Sequence, residues 1–318
     1  MIAIGPIFML SSKSRYRFAL ALLCAAAGAA QNGAAAQSMD QPLLKETTTK
    51  VSDHIYVILG FPNVAIVVGN TATLVVDTGL GPRNGATAAR VAKKLSKGPR
   101  LYLTITHFHP EHAAGDAGFP ADTILIRDAA QQRELDQNGM PMVAMFSKFS
   151  AQNAELLKDV KLRTPDIVFE TEMTLDLGGV TARLMWLGSG HTKGDELIMV
   201  EPDSALISGD IVQSKMAPSI YGDGGTPASW LAVLDKLTPM HPRYIVPDHG
   251  DLGDESLIFK ERDFLSEVGR RTIQLKRQGL SVEDAGKQIT VELKKMYPDY
   301  SSMNSVANLV KLVYPDVK

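Results

Sequence analysis

The run His107-Phe108-His109-Pro110-Glu111-His112 stands directly behind the apolar segment Leu101 to Thr106, and it constrains this chain more than any other feature. Three imidazoles and a carboxylate at the end of a buried strand are costly unless something pairs with them. Three of the chain's seven histidines fall in this one run. On extended backbone, residues two apart point the same way, so His107 and His109 converge on one ion. Pro110 ends strand pairing, and the loop turns Glu111 and His112 toward a second position. Histidines with an acid at this density are a metal-binding pattern.

Other segments carry chemistry of the same kind. His191 lies in GSGHTKGD and His249 in VPDHG, two turn-rich stretches whose glycines let backbone crowd an ion. Asp210 closes the strand-like LISGD, where an acid is costly unless paired or metal-bound. Lys193 and Lys215 flank these motifs and are candidates to hold a substrate carboxylate, with Tyr221 as a candidate pocket wall. His54 and His241 lie outside the motifs and read as ordinary surface or packed histidines.

The composition narrows the partners. With 33 Lys and Arg against 35 Asp and Glu, the formal charge is -2, which gives no basic excess to hold a nucleic acid or an anionic membrane. A small-molecule substrate fits better. Lys13, Arg15 and Arg17 precede the apolar run Phe18 to Ala27, and Ala34-Ala35-Ala36 follow, so residues 1–36 read as a cleaved signal peptide. The expected location is periplasmic or secreted, without stable membrane insertion after cleavage. Cys24, the single cysteine, leaves with that segment. A metal in the mature chain must then be held by His, Asp and Glu alone.

Apolar runs separated by turn signals predict strands through Ile55 to Asp77, then at Leu101 to Thr106, Thr171 to Leu177, Thr181 to Leu187, Leu197 to Val200, Ala205 to Ser208 and Tyr244 to Val246. Helices are expected at Arg83 to Leu95, Asp128 to Asp159 and Ala228 to Leu237. The second of these carries a Met and Phe stripe, read as core, with an irregular start at Gly139-Met140-Pro141 that would suit a flexible lid. Beyond Gly250 the pattern is helical, over Leu257 to Gln278, Ser281 to Tyr297 and Asn304 to Tyr314. Two successive blocks of strands with helices between them suggest two similar halves of one domain, residues 45–252, followed by a helical C-terminal extension, 253–318, packed on it.

The order HxHx(D/E)H, then GHT, then SGD, then a late His in a PxHG-like turn resembles the metallo-β-lactamase superfamily, especially its glyoxalase II-like, lactonase-like and His-rich β-lactamase-like branches. It covers roughly residues 50 to 252. The resemblance implies an α/β fold of the α+β kind, a four-layer αββα sandwich of two mixed β-sheets flanked by helices. It also implies His107, His109 and His191 on a first zinc, Glu111, His112 and His249 on a second, and Asp210 bridging, with Asp77 in VVDTG supporting the metal loop. Two zinc ions are expected, with a single ion as the alternative. Where the family has Asp this chain has Glu111, whose extra methylene adds roughly 1.5 Å of reach. Asp248 stands where the family more often has Gly, and is expected to orient the His249 ring.

What the resemblance implies chemically is a metal-dependent hydrolase of a lactam, lactone, ester or thioester bond, attacked by hydroxide from water whose pKa the ions lower toward about 7. Glu111 and Asp210 are the catalytic candidates for proton handling. β-Lactamase activity is not the favoured one, since the fold alone does not select the substrate. Two other classes stay open: a mononuclear iron oxygenase of the same fold, similar to persulfide dioxygenases, and a non-catalytic metal-binding protein of the envelope.

Overall fold

The computed structural model describes residues 40–221 and 224–316. The expected signal peptide lies outside the described residues. The first sheet contains β1 (Thr49–Lys50), β2 (Ile55–Ile58), β3 (Val64–Val68), β4 (Ala72–Val76), β5 (Arg100–Thr104), β6 (Ile124–Asp128) and β7 (Ile167–Phe169), in sequence order. Its first four strands pair antiparallel and the rest parallel. The second sheet is ordered β12 (Tyr244–Pro247), β11 (Ala205–Gly209), β10 (Glu196–Glu201), β9 (Thr181–Trp186), β8 (Glu172–Asp176), with only the β11 to β12 pairing parallel.

Strand alternation builds four layers from these sheets. Ile55, Val57, Ala65, Val67, Leu74 and Val76 on one sheet meet Ala182, Leu184, Ile198, Val200, Ala205, Ile207 and Val246 on the other in a single apolar cluster between them. The intervening residues point outward. On the first sheet Val64, Ile66, Val75 and Leu103 pack with Ala88, Val91 and Ala92 of α1 (Gly81–Leu95) and Leu135 of α3 (Ala129–Phe146). On the second, Met185, Leu197, Met199, Leu206 and Ile245 pack with α5 (Pro227–Leu237), α6 (Ser256–Arg277), α7 (Val282–Met296) and α8 (Val306–Val313). This is the αββα sandwich, and the C-terminal helices share the core of its fourth layer. Among the described residues no helix is long and apolar enough to cross a membrane.

Local chemistry sets the helix ends. Asp128 accepts from the Gln131 amide to start α3, Thr226 and Ser229 form a reciprocal cap on α5, and Ser281 caps α7 through the Asp284 amide. Two expectations change. Ile124–Asp128 is a strand that the apolar pattern had not separated from the helix behind it. Pro141 lies inside a continuous α3, so the irregular start expected at Gly139 is absent, and the segment breaks later, before α4 (Ala151–Leu156). The Met and Phe stripe divides: Phe146 is buried while Met140 and Met145 are exposed.

Candidate metal centre

Five strands deliver side chains to one rim. Asp77 follows β4, His107 to His112 follow β5, His191 follows β9, Asp210 follows β11, and Asp248 and His249 follow β12. The histidine run leaves its strand extended as far as His109 and then makes one helical turn, α2 (Pro110–Ala113), rather than the open loop expected. Pro110 suits the first helical position because its ring presets φ and no amide is needed there. That turn carries Glu111 and His112 away from His107 and His109. At the opposite side Gly250 (φ +92°) passes so close to the Ser214 carbonyl that a Cβ would lie 2.2 Å from its oxygen, so only glycine fits.

His109 Nδ1 lies 3.0 Å from His107 Nε2 and 3.2 Å from His191 Nε2. Burial, reinforced by the neighbouring imidazoles, pushes His107 and His109 well below the ordinary histidine range. Burial also lowers His191, although Asp210 opposes the shift. Three neutral rings therefore turn ring nitrogens on one point, an arrangement a cation satisfies. On the other side, ligand atoms of Glu111, His112 and His249 come within 4.8 Å of one another. Asp210 lies between the two groups, Oδ2 3.4 Å from His191 Nε2 and Oδ1 3.3 Å from His249 Nε2. His112 Nε2, Glu111 Oε2 and Asp210 Oδ1 are buried without a hydrogen-bond partner among the described residues. Orphaned buried atoms of this kind, in a set of nitrogen and oxygen donors, fit a metal ion.

The surroundings fix these atoms. His112 Nδ1 is 2.9 Å from Asp77 Oδ2 and 3.2 Å from Asp248 Oδ2. Burial opposes charge on His112, but the two carboxylates outweigh it and hold the ring well above its ordinary range. Asp77 takes a left-handed backbone (φ 68°) and accepts from the Thr106 amide at 2.7 Å. Thr106 Oγ1 lies 2.9 Å from Asp77 and 2.8 Å from Asp248. Asp248 thus faces His112 and Thr106 rather than the ring of His249, since successive residues on a strand end point to opposite sides. Burial, then Asp77, pushes Asp248 up to about 7, and burial does the same for Glu111. Burial would raise Asp210 too, but four histidines, led by His249, hold it at about 2.

The substrate candidates fare differently. Tyr221, half exposed, sets its ring edge against His109 (centroids 5.1 Å apart) and His191 (5.7 Å) at the mouth of the cluster. Lys215 Nζ lies 3.5 Å from Asp299 on the C-terminal segment. Lys193 contributes backbone: its amide donates to Glu134, and its carbonyl accepts from Trp186 Nε1 at 2.8 Å. His54 pairs with Asp203 and His241 with Glu255, both outside the cluster.

Sequence reasoning missed three contributors, Ser219, Glu134 and Phe61, and divided Asp195 between a metal ligand and a turn residue. The Ser219 carbonyl accepts from His191 Nδ1 at 2.6 Å, which leaves Nε2 to face the cluster. Glu134, on α3, accepts from the Gly194 amide, and Asp195 accepts from Gly190 and Thr192, so two buried acids cage the loop that carries His191. Phe61 stacks on His249 with ring centroids 3.9 Å apart. Only Asp195 had a local signal, the turn at Gly194-Asp195; the others depend on long-range contacts.

Known proteins share this fold. Over 245 residues the chain is 25% identical to a linear primary-alkylsulfatase of a Pseudomonas species, a match covering 66% of this chain and 46% of that one. Over 224 residues it is 25% identical to the type 2 metallo-beta-lactamase of Bacteroides fragilis, covering 66% of this chain and 81% of that one. The structure of a stereoselective inverting sec-alkylsulfatase from Pseudomonas sp. superposes with a TM-score of 0.65 at 14% identity, covering 85% of this chain and 50% of that one. The chain thus spans about half the length of the alkylsulfatases it matches. A match over 85% of the chain is longer than everything before residue 253, so part of the C-terminal helical segment belongs to that likeness. Residues 57–249, which span every member of the buried cluster from Asp77 to His249, match the family model for this two-sheet fold, and the chain belongs to the metallo-beta-lactamase superfamily.

Proposed function

We propose that this chain is a zinc-dependent hydrolase with two metal positions, acting on a lactam, lactone, ester or thioester bond of a small molecule. The observation that carries it is the place of Asp210, with one carboxylate oxygen toward His191 and the other toward His249. In this reading His107, His109 and His191 would hold the first zinc and Glu111, His112 and His249 the second, with Asp210 between the two groups. The chemistry such ions would supply is hydroxide near neutral pH and polarisation of the scissile carbonyl.

The two catalytic candidates separate by environment. Asp210, held at about 2, stays ionised and serves as a ligand. Glu111, pushed up to about 7 by burial, would give up its proton to bind a cation, so metal uptake at the second position should release a proton near neutral pH. Asp77 and Asp248 keep the proton on His112 Nδ1, leaving Nε2 to ligate. Phe61 and Tyr221 stand on opposite sides of the cluster and favour a substrate with an apolar group beside the reacting bond. Action in the periplasm or beyond belongs to the reading and rests on the N-terminal sequence alone.

A second reading, cleavage of a sulfate ester, is favoured by the C-terminal helices, which are shared in part with the sec-alkylsulfatase fold. One screen separates the readings: lactones, thioesters, carboxylic esters, β-lactams and alkyl sulfates, each with chelator and with zinc restored. Turnover of an acyl substrate that chelator abolishes and zinc restores is expected. Turnover of alkyl sulfate alone selects the second reading. Stoichiometric iron with oxygen consumption, or no turnover of any substrate, rejects the hydrolase.

A further inference from the structure

The segment from Ile211 to Tyr221 runs between the buried cluster and the C-terminal helices, and it is held from both sides. It leaves Asp210 and ends at Tyr221. Toward the cluster, the Ser214 amide donates to the His249 carbonyl at 3.2 Å and the Ser219 carbonyl accepts from His191 Nδ1 at 2.6 Å. Toward the helices, the Ser301 amide donates to the Lys215 carbonyl (2.9 Å) and the Ser301 carbonyl accepts from the Ala217 amide (3.0 Å). Ser305 Oγ donates to the Pro218 carbonyl at 2.6 Å. Glu261, buried on α6, faces the Gln213 amide. Ala217 and Ile220 belong to the same apolar cluster as Met303, Val306 and Leu309.

The Pro218 carbonyl and the Ser219 nitrogen belong to one peptide plane, and such planes are stiff. Fixing the Pro218 oxygen therefore fixes one end of Ser219, whose own carbonyl decides which nitrogen of His191 carries the proton. We infer that Ser305 is a positioning residue for the metal centre: its hydroxyl, from the C-terminal segment, holds the peptide that orients His191. The C-terminal helices then contribute to metal affinity as well as to the fold. Ser305 makes no side-chain cap on α8, so removing its hydroxyl leaves that helix start otherwise unchanged. The inference rests on the reading that His191 holds a metal.

The test uses the full chain stripped of metal. Zinc is titrated in competition with a chromophoric chelator, and the absorption of the cobalt(II)-loaded protein is recorded. Ser305→Ala is expected to bind one metal equivalent about three- to fivefold more weakly, less than the roughly tenfold or more lost when the outer hydrogen bond to a ligating histidine is itself removed, because Ser219 still accepts from His191. Its cobalt spectrum should shift while the far-UV spectrum stays that of the parent. Ser305→Thr, which keeps the hydroxyl, should restore both, and Val291→Ala, on the exposed face of α7, should change neither. Parent-like affinity and cobalt spectrum in Ser305→Ala, or no rescue by threonine, overturns the inference. Should Ser305→Ala not fold, Ser305→Val, which has the shape of threonine without its hydroxyl, is read against Ser305→Thr in the same titration, where parent-like values for valine overturn it equally. His191→Ala runs alongside. If the parent binds no metal, or binds it unchanged after His191→Ala, the metal-centre reading itself fails. If His191→Ala loses metal and Ser305→Ala does not, only the positioning role fails.

Discussion

Asp77 and His112 form a pair with no solvent exposure on either side chain, Oδ2 to Nδ1 2.9 Å, at the point where β4 and the histidine run meet. The carboxylate does two things at once: it accepts from the Thr106 amide, pinning the start of the run, and it keeps the imidazole proton on Nδ1. Asp77→Asn separates these roles. Its oxygen still accepts from Thr106, which turns the amide NH2 toward His112 and leaves Asp248 alone to hold the ring proton on Nδ1. The expected result is a protein that folds and keeps one tightly bound metal while the second is weakened by roughly 10- to 100-fold. Metal content after dialysis against buffered zinc measures it, and two equivalents at parent affinity would refute this account of Asp77.

Asp195 is a structural counterpart on the other side of the cluster. Its carboxylate accepts from the Gly190 amide at 2.9 Å, from the Thr192 amide at 3.0 Å and from Thr192 Oγ1 at 2.6 Å. Asp195→Ala leaves the buried Thr192 amide without an acceptor, at a cost of about 1–3 kcal/mol, while the Gly190 amide keeps the Thr192 carbonyl at 3.0 Å. Urea unfolding of the metal-free protein should show that loss, with Asp195→Asn, which keeps an acceptor, falling between alanine and parent. A midpoint unchanged in the alanine variant would mean that the loop finds other acceptors.

Glu196 supplies a pH dependence with a definite sign. It lies buried between the sheets at the start of β10, with Oε1 2.6 Å from Thr104 Oγ1. Burial, then the nearby Asp128, pushes its carboxyl well above the ordinary glutamate value of 4.5. The folded state therefore holds a proton that the unfolded chain releases. The contribution to stability is fully present below the unfolded value and is lost as pH rises toward the folded one. Glu196→Gln removes this loss. Its stability relative to the parent should be flat in acid and improve steadily as pH is raised above about 4.5, measured as the difference in urea midpoint between the two proteins. A difference independent of pH would show that Glu196 ionises normally in the fold.

Much of this arrangement was legible in the sequence because strand ends announce themselves. The motifs HFHPEH, GSGHTKGD, LISGD and VPDHG each break an apolar run, so the seven clustered side chains were found from local pattern alone. The β6 strand was not, because TILIRD runs straight into a helix with no turn residue between them. Asp248 was placed on its neighbour's ring, whereas the pleat sends it to His112. Glu134 and Ser305 carried no local signal. Their partners lie 60 and 87 residues away, and nothing in their immediate neighbours distinguishes them from ordinary polar residues on helices.

Under the proposed function the two aromatic walls should make separable contributions to substrate binding. Phe61, 38% exposed, stacks on His249, and its loop is anchored from below by Asn63 Nδ2 donating to the Pro247 carbonyl at 2.9 Å. Truncating the ring therefore removes apolar contact area while the backbone around His249 stays tied. Phe61→Ala should raise KM by about 10-fold, the worth of one or two apolar groups in a pocket, with kcat changed far less and metal content unaltered. Tyr221 touches the first histidine group instead, and burial, reinforced by Glu111, raises its hydroxyl above the ordinary tyrosine range, so it remains a donor at any working pH. Tyr221→Phe keeps the wall and deletes only the donor. A fall in kcat with KM unchanged would place the hydroxyl on charge that develops during the reaction, whereas a change in KM alone would make Tyr221 a wall like Phe61. The hydroxyl has the Ser219 side chain as a partner, so the expected outcome for Tyr221→Phe is the latter, a change in KM of about 10-fold or less with kcat held.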